Sequence, residues 1–276
     1  MHQAMTRSTA RILYCCPLWG NTLPFEKFCR RVKAAGYDGV EMDLPLERGP
    51  RSERLRILAD HGLRLVGQYW QSLEPAFRDN RRNYIRHLEN LAAAGPLLVN
   101  AQTGRDHFTL AQNLTLVRDA ATVAQASGIP VCHETHRGKF LYNLPVLVEA
   151  LREEPAMRIT LDASHWCTVH ESLLHDQSAA MKRAIRAAAH VHARVGHEEG
   201  PQVNDPRAPE WQAHVDRHFE WWDAVVARHA GRTLTVTPEF GPAPYMPAAP
   251  RTRRPLADQW AVNAHMLSLF RQRYTS

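Results

Sequence analysis

RITLDASHWCTVH, residues 158–170, joins a short apolar run to a cluster of ionisable side chains. Ile159, Thr160 and Leu161 have the β-branched, apolar character of a buried strand. Asp162 follows directly, then His165 and Trp166. A carboxylate at the end of a buried strand is costly to desolvate unless a cation meets it. Three other runs have the same form. IPVCHE (129–134) ends in Glu134, HVHAR (190–194) presents His192, and LTVTPE (234–239) ends in Glu239. Four short strands that each deliver one Glu, Asp or His predict convergence of these side chains on one divalent metal ion.

The spacing places the strands side by side. Glu134 and Asp162 are 28 residues apart, and Asp162 and His192 are 30 apart. One strand–helix unit takes roughly 30 residues, so the three side chains reach the same height on successive strands. His192 and Glu239 are 47 apart, a unit lengthened by GHEEGPQVNDPRAP (196–209). That stretch is polar and proline-rich, and reads as a loop outside the core after the seventh strand. Working outward, strands are expected at 12–16, 37–42, 63–69 and 96–101. Helices are expected at 23–35, 52–61 with Ser52 as cap, 78–94, 110–127, 144–154, 173–187, 211–230 and 256–273. Eight alternations of strand and helix argue for an α/β fold, a single (β/α)8 TIM barrel over residues 1–276 with 1–10 as a loose lead-in. The alternative is an open doubly wound sheet. The first strand is not followed by a Gly-x-Gly-x-x-Gly turn, which argues against a nucleotide-binding version.

Composition narrows the setting. The hydrophobic fraction of 44% is ordinary for a globular protein, and no apolar run approaches a membrane span. The N-terminal residues lack the long apolar core of a secretory signal, so a cytoplasmic location is expected, with no membrane partner. Five cysteines without a CxxC pair predict buried reduced thiols, with adjacent Cys15 and Cys16 on opposite faces of a strand. The formal charge of +6 comes from arginines scattered along helices and not interleaved with aromatics, so no nucleic-acid partner is expected. The last helix, apolar at Trp260, Met266, Leu267 and Phe270, is expected to pack on the barrel or on a second subunit of a homo-oligomer.

Two Glu, one Asp and one His make a mostly oxygen donor set. It suits Mn²⁺ first, with Mg²⁺, Co²⁺ or Zn²⁺ as alternatives, better than a structural zinc site. Open positions on such an ion could take two adjacent oxygens of a small-molecule substrate and acidify the carbon between them. Other residues are candidates for the rim. His136, Arg137 and Lys139 could grip a carboxylate or phosphate, or belong to a solvated loop. Trp19, Tyr69, Trp166 and Phe240 could stack on a sugar face or fill the barrel mouth. Glu41 and Gln102 could bind substrate hydroxyls or support the metal ligands. His197 and Glu198 could open a lid, and Arg251, Arg253 and Arg254 could touch substrate or a neighbouring subunit.

GYDGVEM (36–42), HETHRG (133–138), LDASHW (161–166), HVHARVG (190–196) and PEFGP (238–242) together resemble the xylose-isomerase-like TIM-barrel superfamily, the sugar phosphate isomerase/epimerase or AP-endonuclease-2 family. The resemblance covers nearly the whole chain. It implies Glu134, Asp162, His192 and Glu239 as metal ligands, Glu134 and Glu239 as a proton-transfer pair, and His165 as a substrate-contacting, catalytic histidine. His136, Arg137, Trp166, Arg194, Glu41 and Gln102 are the expected substrate-binding residues. Arg194 stands closer to His192 than the family's substrate-binding arginine does to its metal histidine. The implied activity is a divalent-metal-dependent isomerase or epimerase of a sugar, polyol or related hydroxy-carbonyl compound, acting through an enediolate. Alternatives are a lyase or dehydratase on the same site, a DNA-repair phosphodiesterase, and a non-catalytic sugar binder.

Overall fold

A computed structural model describes residues 10–274 of the chain, so most of the expected lead-in lies outside the described residues. Eight parallel strands close into a barrel in chain order. They are Arg11–Pro17 (β1), Gly39–Met42 (β2), Arg64–Tyr69 (β3), Val99–Ala101 (β4), Val131–Glu134 (β5), Arg158–Leu161 (β6), Ala188–His192 (β7) and Thr233–Thr237 (β8). The closing pair is β1 with β8, in the register Ile12 opposite Leu234 and Tyr14 opposite Val236. The expected (β/α)8 barrel is therefore the observed one.

The outer layer comprises Phe25–Ala34 (α1), Arg48–Asp60 (α2), Phe77–Ala92 (α3), Leu110–Ser127 (α4), Leu144–Glu153 (α5), Ala163–Val169 (α6), Ser178–Ala187 (α7), Gln212–Arg228 (α8) and Gln259–Tyr274 (α9). Local chemistry sets several ends. Thr109 and Gln112 form a reciprocal capping box at the start of α4, and Gly128 closes it in the left-handed conformation at φ 73°. Helix α2 begins four residues before Ser52, so Ser52 lies inside the helix and caps nothing. Pro50 is tolerated there because the first helical turn has no intrahelical use for its missing N–H. The expected helix over 173–187 is a short 3₁₀ turn, His175–Gln177, followed by α7. Helix α6, directly after β6, is an element that the sequence reading did not separate.

Strand alternation sorts the side chains into two cores. Cys15, Val66, Leu98 and Cys132 form a small apolar plug inside the barrel. Cys16 packs in the larger core between strands and helices, so the adjacent cysteines do point to opposite faces. All five cysteines are buried and unpaired. Above the plug the interior turns polar, with Glu41, Gln68, Asn100, Glu134, His190 and His192 all buried. The segment 196–209 departs from its expectation. Pro201, Gln202 and Val203 are buried, because the Gln202 amide bonds both the N–H and the C=O of Gly241.

Helix α9 packs on its own barrel. Phe270 meets Tyr14 edge-on at 6.3 Å and lies 5.0 Å from the Trp222 ring. Arg31 covers Trp260 at 3.8 Å. Among the described residues no helix is long and apolar enough to cross a membrane. Phe270→Ala should destabilise the monomer by roughly 3–5 kcal/mol, the usual cost of emptying a buried aromatic site. Chemical denaturation at two protein concentrations checks this, and a concentration-dependent midpoint would place α9 in a subunit interface instead.

Candidate metal centre

The ends of β5 to β8 bring the four predicted side chains together. Glu134 is the last residue of β5, and His192 is the last of β7. Asp162 follows β6 and caps α6, accepting the Ser164 N–H at 3.0 Å. Glu239 lies two residues beyond β8, in a turn held by the Phe240 N–H donating to Asn263 Oδ1 at 2.9 Å. One donor atom from each of Glu134, Asp162, His192 and Glu239 lies within 4.8 Å of the others, and all four residues are buried. From His192 Nδ1 the nearest carboxylate oxygens are Glu239 Oε2 at 2.8 Å, Glu134 Oε1 at 3.8 Å and Asp162 Oδ2 at 3.9 Å.

His192 is oriented from below. Its Nε2 lies 2.9 Å from Glu41 Oε1, and His190 Nε2 lies 3.0 Å from Glu41 Oε2. An ionised carboxylate only accepts, so His192 carries a proton on Nε2. Burial disfavours the Glu41 charge, but the His192 and His190 charges and hydrogen bonds outweigh it and hold this carboxyl well below its usual range. Asn100 Nδ2 donates to both Glu41 Oε1 and Glu134 Oε2, each at 2.9 Å. His192 Nδ1 is thereby turned toward three carboxylates. Nδ1 is buried and out of line for a hydrogen bond, although Glu239 Oε2 is close. In the metal-free protein the positive charge between these groups is the imidazolium of His192, which the neighbouring carboxylates favour, and a divalent ion would take the place of its Nδ1 proton. The residues therefore fit a divalent ion, which His192 would ligate in the orientation that Glu41 sets.

The electrostatics match. Burial, then the negative charges of Glu239 and Asp162, push Glu134 up to about 8 against the opposing pull of His192. Burial also raises Asp162. Burial acts to raise Glu239 too, but His192 and Arg194 win and lower it. Burial would discharge His192, yet the Glu239, Glu41 and Glu134 carboxylates raise it well above the usual imidazole value. Arg194 completes the balance. It donates from Nη2 to Asp162 Oδ2 at 2.5 Å and to His165 Nε2 at 2.8 Å, from Nε to Ser164 Oγ at 3.2 Å, and from Nη1 to the Glu239 carbonyl at 3.3 Å.

A cavity of about 380 Å³ opens above this cluster. Glu239, Arg194, His136 and Gln102, four of the expected site residues, line it. Gln102 Nε2 donates to Glu134 Oε1 at 3.3 Å, so it screens Glu134 from the cavity. Gln68 lines it too and donates to Glu239 Oε1 at 2.9 Å. Other expected residues lie elsewhere. Glu41 sits beneath His192 and does not reach the cavity, so of its two expected roles the geometry matches support. His165 is fully buried behind His136, ring on ring at 3.8 Å, with burial lowering the pKa of both. Trp166 is turned into the core with Nε1 donating to the Leu141 carbonyl at 3.0 Å, because α6 has already begun and presents it inward. Tyr69 and Phe240 are also buried. Arg137 is exposed over the Tyr245 ring at 5.3 Å, and Lys139 is buried with Nζ donating to the Ser72 carbonyl at 2.7 Å. His197 stacks on Trp211 at 5.0 Å and Glu198 pairs with His214 at 2.9 Å, both away from the cavity lining.

Trp70, Tyr245, Gln68 and Asn100 were not singled out as site residues. Gln68 and Asn100 carry the same signal as Glu134, a polar side chain on a buried strand, read there only for ionisable groups. Tyr245 lies in a proline-rich loop with no local pattern to mark it.

Two outcomes test this geometry. Glu41→Gln should weaken Mn²⁺ binding by about 10–100-fold while leaving the barrel folded, as loss of a histidine-orienting carboxylate does; calorimetric titration measures it. A metal ion takes carboxylate and neutral imidazole, so binding displaces the protons that Glu134 and His192 hold in the metal-free protein. Affinity should then fall as pH drops below about 8, where Glu134 is protonated, by about tenfold per pH unit for each proton displaced. A Kd that is flat between pH 6 and about 8 would contradict this.

Known proteins share this fold. No curated protein matches the chain. A xylose isomerase-like TIM-barrel protein from Mycobacterium smegmatis, solved in complex with magnesium, is similar in structure at a TM-score of 0.64 and 14% identity, covering 100% of this chain and 99% of that one. The 3-keto-D-glucoside 4-epimerase of E. coli aligns at a TM-score of 0.60 and 16% identity, covering 95% and 100%. A family 2 AP endonuclease from Brucella melitensis aligns at 0.57 and 16%, covering 93% and 98%. At these identities the likeness is one of fold. Residues 29–226 match the family described as xylose isomerase-like TIM barrel, and the chain belongs to that family.

Proposed function

We propose that the protein binds one divalent metal ion, Mn²⁺ first among Mg²⁺, Co²⁺ and Zn²⁺, through Glu134, Asp162, His192 and Glu239. We further propose that it is an isomerase or epimerase of a sugar, polyol or related hydroxy-carbonyl compound, working through an enediolate. The observation that carries the reading is His192 Nδ1, buried among three carboxylates and held there by Glu41. When bound, the ion supplies Lewis acidity that makes the C–H between a carbonyl and a hydroxyl easier to remove.

The chain's own groups do the rest. Glu239 lines the cavity and moves the proton, with Gln68 fixing one of its oxygens. Glu134 is the second carboxylate of the pair and is reached past Gln102. His136 donates from Nδ1 to the Arg137 carbonyl at 2.6 Å, which leaves its Nε2 lone pair on the cavity side, 3.4 Å from Tyr245 Oη. Arg194 offsets the carboxylate charge and keeps Asp162 in place. A phosphodiesterase with several metal ions would need imidazoles or carboxylates where β3 and β4 present the amides of Gln68 and Asn100. Elimination of water from the same substrate would use the same groups, and the product mass separates it from isomerisation.

Elemental analysis should find close to one metal ion per chain in the wild type and none in the variant carrying Asp162→Ala with Glu239→Gln. A metal-free wild type with no thermal stabilisation by any divalent ion would reject the reading. Glu239→Gln alone should abolish turnover of any hydroxy-carbonyl substrate found by screening, with an unchanged circular dichroism spectrum. An active variant would remove the proton-transfer role.

A further inference from the structure

The end of the barrel opposite the carboxylates holds a second concentration of charge, of the other sign. A cavity of about 310 Å³ lies where α5 and α7 end and β6 begins. Leu151, Pro155 and Ala187 give it an apolar part, and Arg158, Arg183 and Arg186 supply every charge on its lining. Arg158 is the first residue of β6, whereas Arg183 and Arg186 stand three apart on α7 and so share one of its faces. All three are exposed. The acids nearest to the cavity in sequence are Glu153 and Glu154. Glu154 is engaged by Arg118 at 2.6 Å. Among the described residues, no arginine ion pair includes Arg158, Arg183 or Arg186.

The surroundings add to the charge without extending the cavity. Arg228 ends α8 and Arg232 precedes β8, and both are exposed. Buried His229 lies between them in sequence. Burial lowers its pKa, against a hydrogen bond to the Val225 carbonyl, and the charges of Arg232, Arg228 and Arg158 lower it further. Arg232 donates to the Arg228 carbonyl, so its guanidinium folds back on its own helix end and is not part of the lining. The arginines therefore converge on one hollow instead of forming a long track. An arginine in the last turn of a helix offsets the negative end of the helix dipole, which accounts for Arg186. It does not account for Arg158, on a strand, or for Arg183, nearly a turn further from the helix end. Three guanidinium groups around a partly apolar hollow repel one another unless an anion comes between them. Each is a planar fork that matches phosphoryl oxygens in pairs.

We propose that this cavity is a binding site for a diphosphate group, held by Arg158, Arg183 and Arg186 at the opposite end of the barrel from the metal centre. It stands independently of the metal reading. Two linked phosphoryl groups carry more charge than one and can take up all three forks. Calorimetric titration of the purified protein with pyrophosphate at low salt should show one site per chain, bound about tenfold more tightly than orthophosphate. Arg158→Ala and Arg183→Ala should each weaken pyrophosphate by about tenfold. Both side chains are exposed, so thermal melting without ligand should match the wild type, and pyrophosphate should raise the wild-type midpoint more than either variant's. Arg137→Ala, and the variant carrying Asp162→Ala with Glu239→Gln, should bind pyrophosphate as the wild type does. ADP in place of pyrophosphate separates two sources of the group: equal or tighter binding assigns it to a nucleotide, weaker binding to free diphosphate. No saturable binding of pyrophosphate, or binding unchanged by Arg158→Ala and Arg183→Ala, would overturn the proposal. Loss of binding in the Arg137 or metal-centre variants would overturn it too, by moving the anion to the other end of the barrel.

Discussion

Three carboxylates and one imidazole are held out of water at the mouth of this barrel, and much of the surrounding structure answers the resulting electrostatic problem. Like charges at such separations in a low-dielectric interior repel strongly, so the cluster persists only with compensation. His192 supplies it from the centre and Arg194 from the rim. Glu41 and Asn100 supply it indirectly, by orienting His192 and by donating to Glu134. Removing any one of these leaves a buried charge with too few partners, which is more costly than losing an exposed ion pair.

The same arrangement explains why the site is poised for a cation. In the metal-free protein the balance depends on protons held by Glu134 and His192. Those protons occupy the space that a divalent ion would fill. The polar interior begins above a small apolar plug of Cys15, Val66, Leu98 and Cys132 inside the barrel.

The rim is built by a different principle. In the loop after β8, side-chain amides hold the first backbone groups. Gln202, from the segment after β7, ties down Gly241, and Asn263, from α9, ties down Phe240. These contacts fix the turn that carries Glu239 and the Gly241 backbone on which Trp19 lies, so the carboxylate cluster and the apolar wall of the cavity share their supports.

The barrel and the four converging side chains were legible in the chain itself. Strand and helix periods alternate at regular spacing, and a charged residue at the end of a buried strand is a local signal that survives without an alignment. Gln68 and Asn100 carry the same signal and could have been read with it. Trp166 could not be placed, because a helix beginning at Ala163 turns its side chain inward, and the sequence reading did not separate that helix from the next. The burial of Gln202 and Val203 was likewise hidden, since a polar, proline-rich segment looks solvent-exposed until its partner is known. Sequence alone determined the architecture and the ends of the strands, because both follow from residue type and short-range period. Only the tertiary structure decided that Glu41 supports His192 instead of facing the cavity, and that Trp19 lies on Gly241. Both depend on residues far apart in the chain, which meet only when β1 pairs with β8 and the barrel closes.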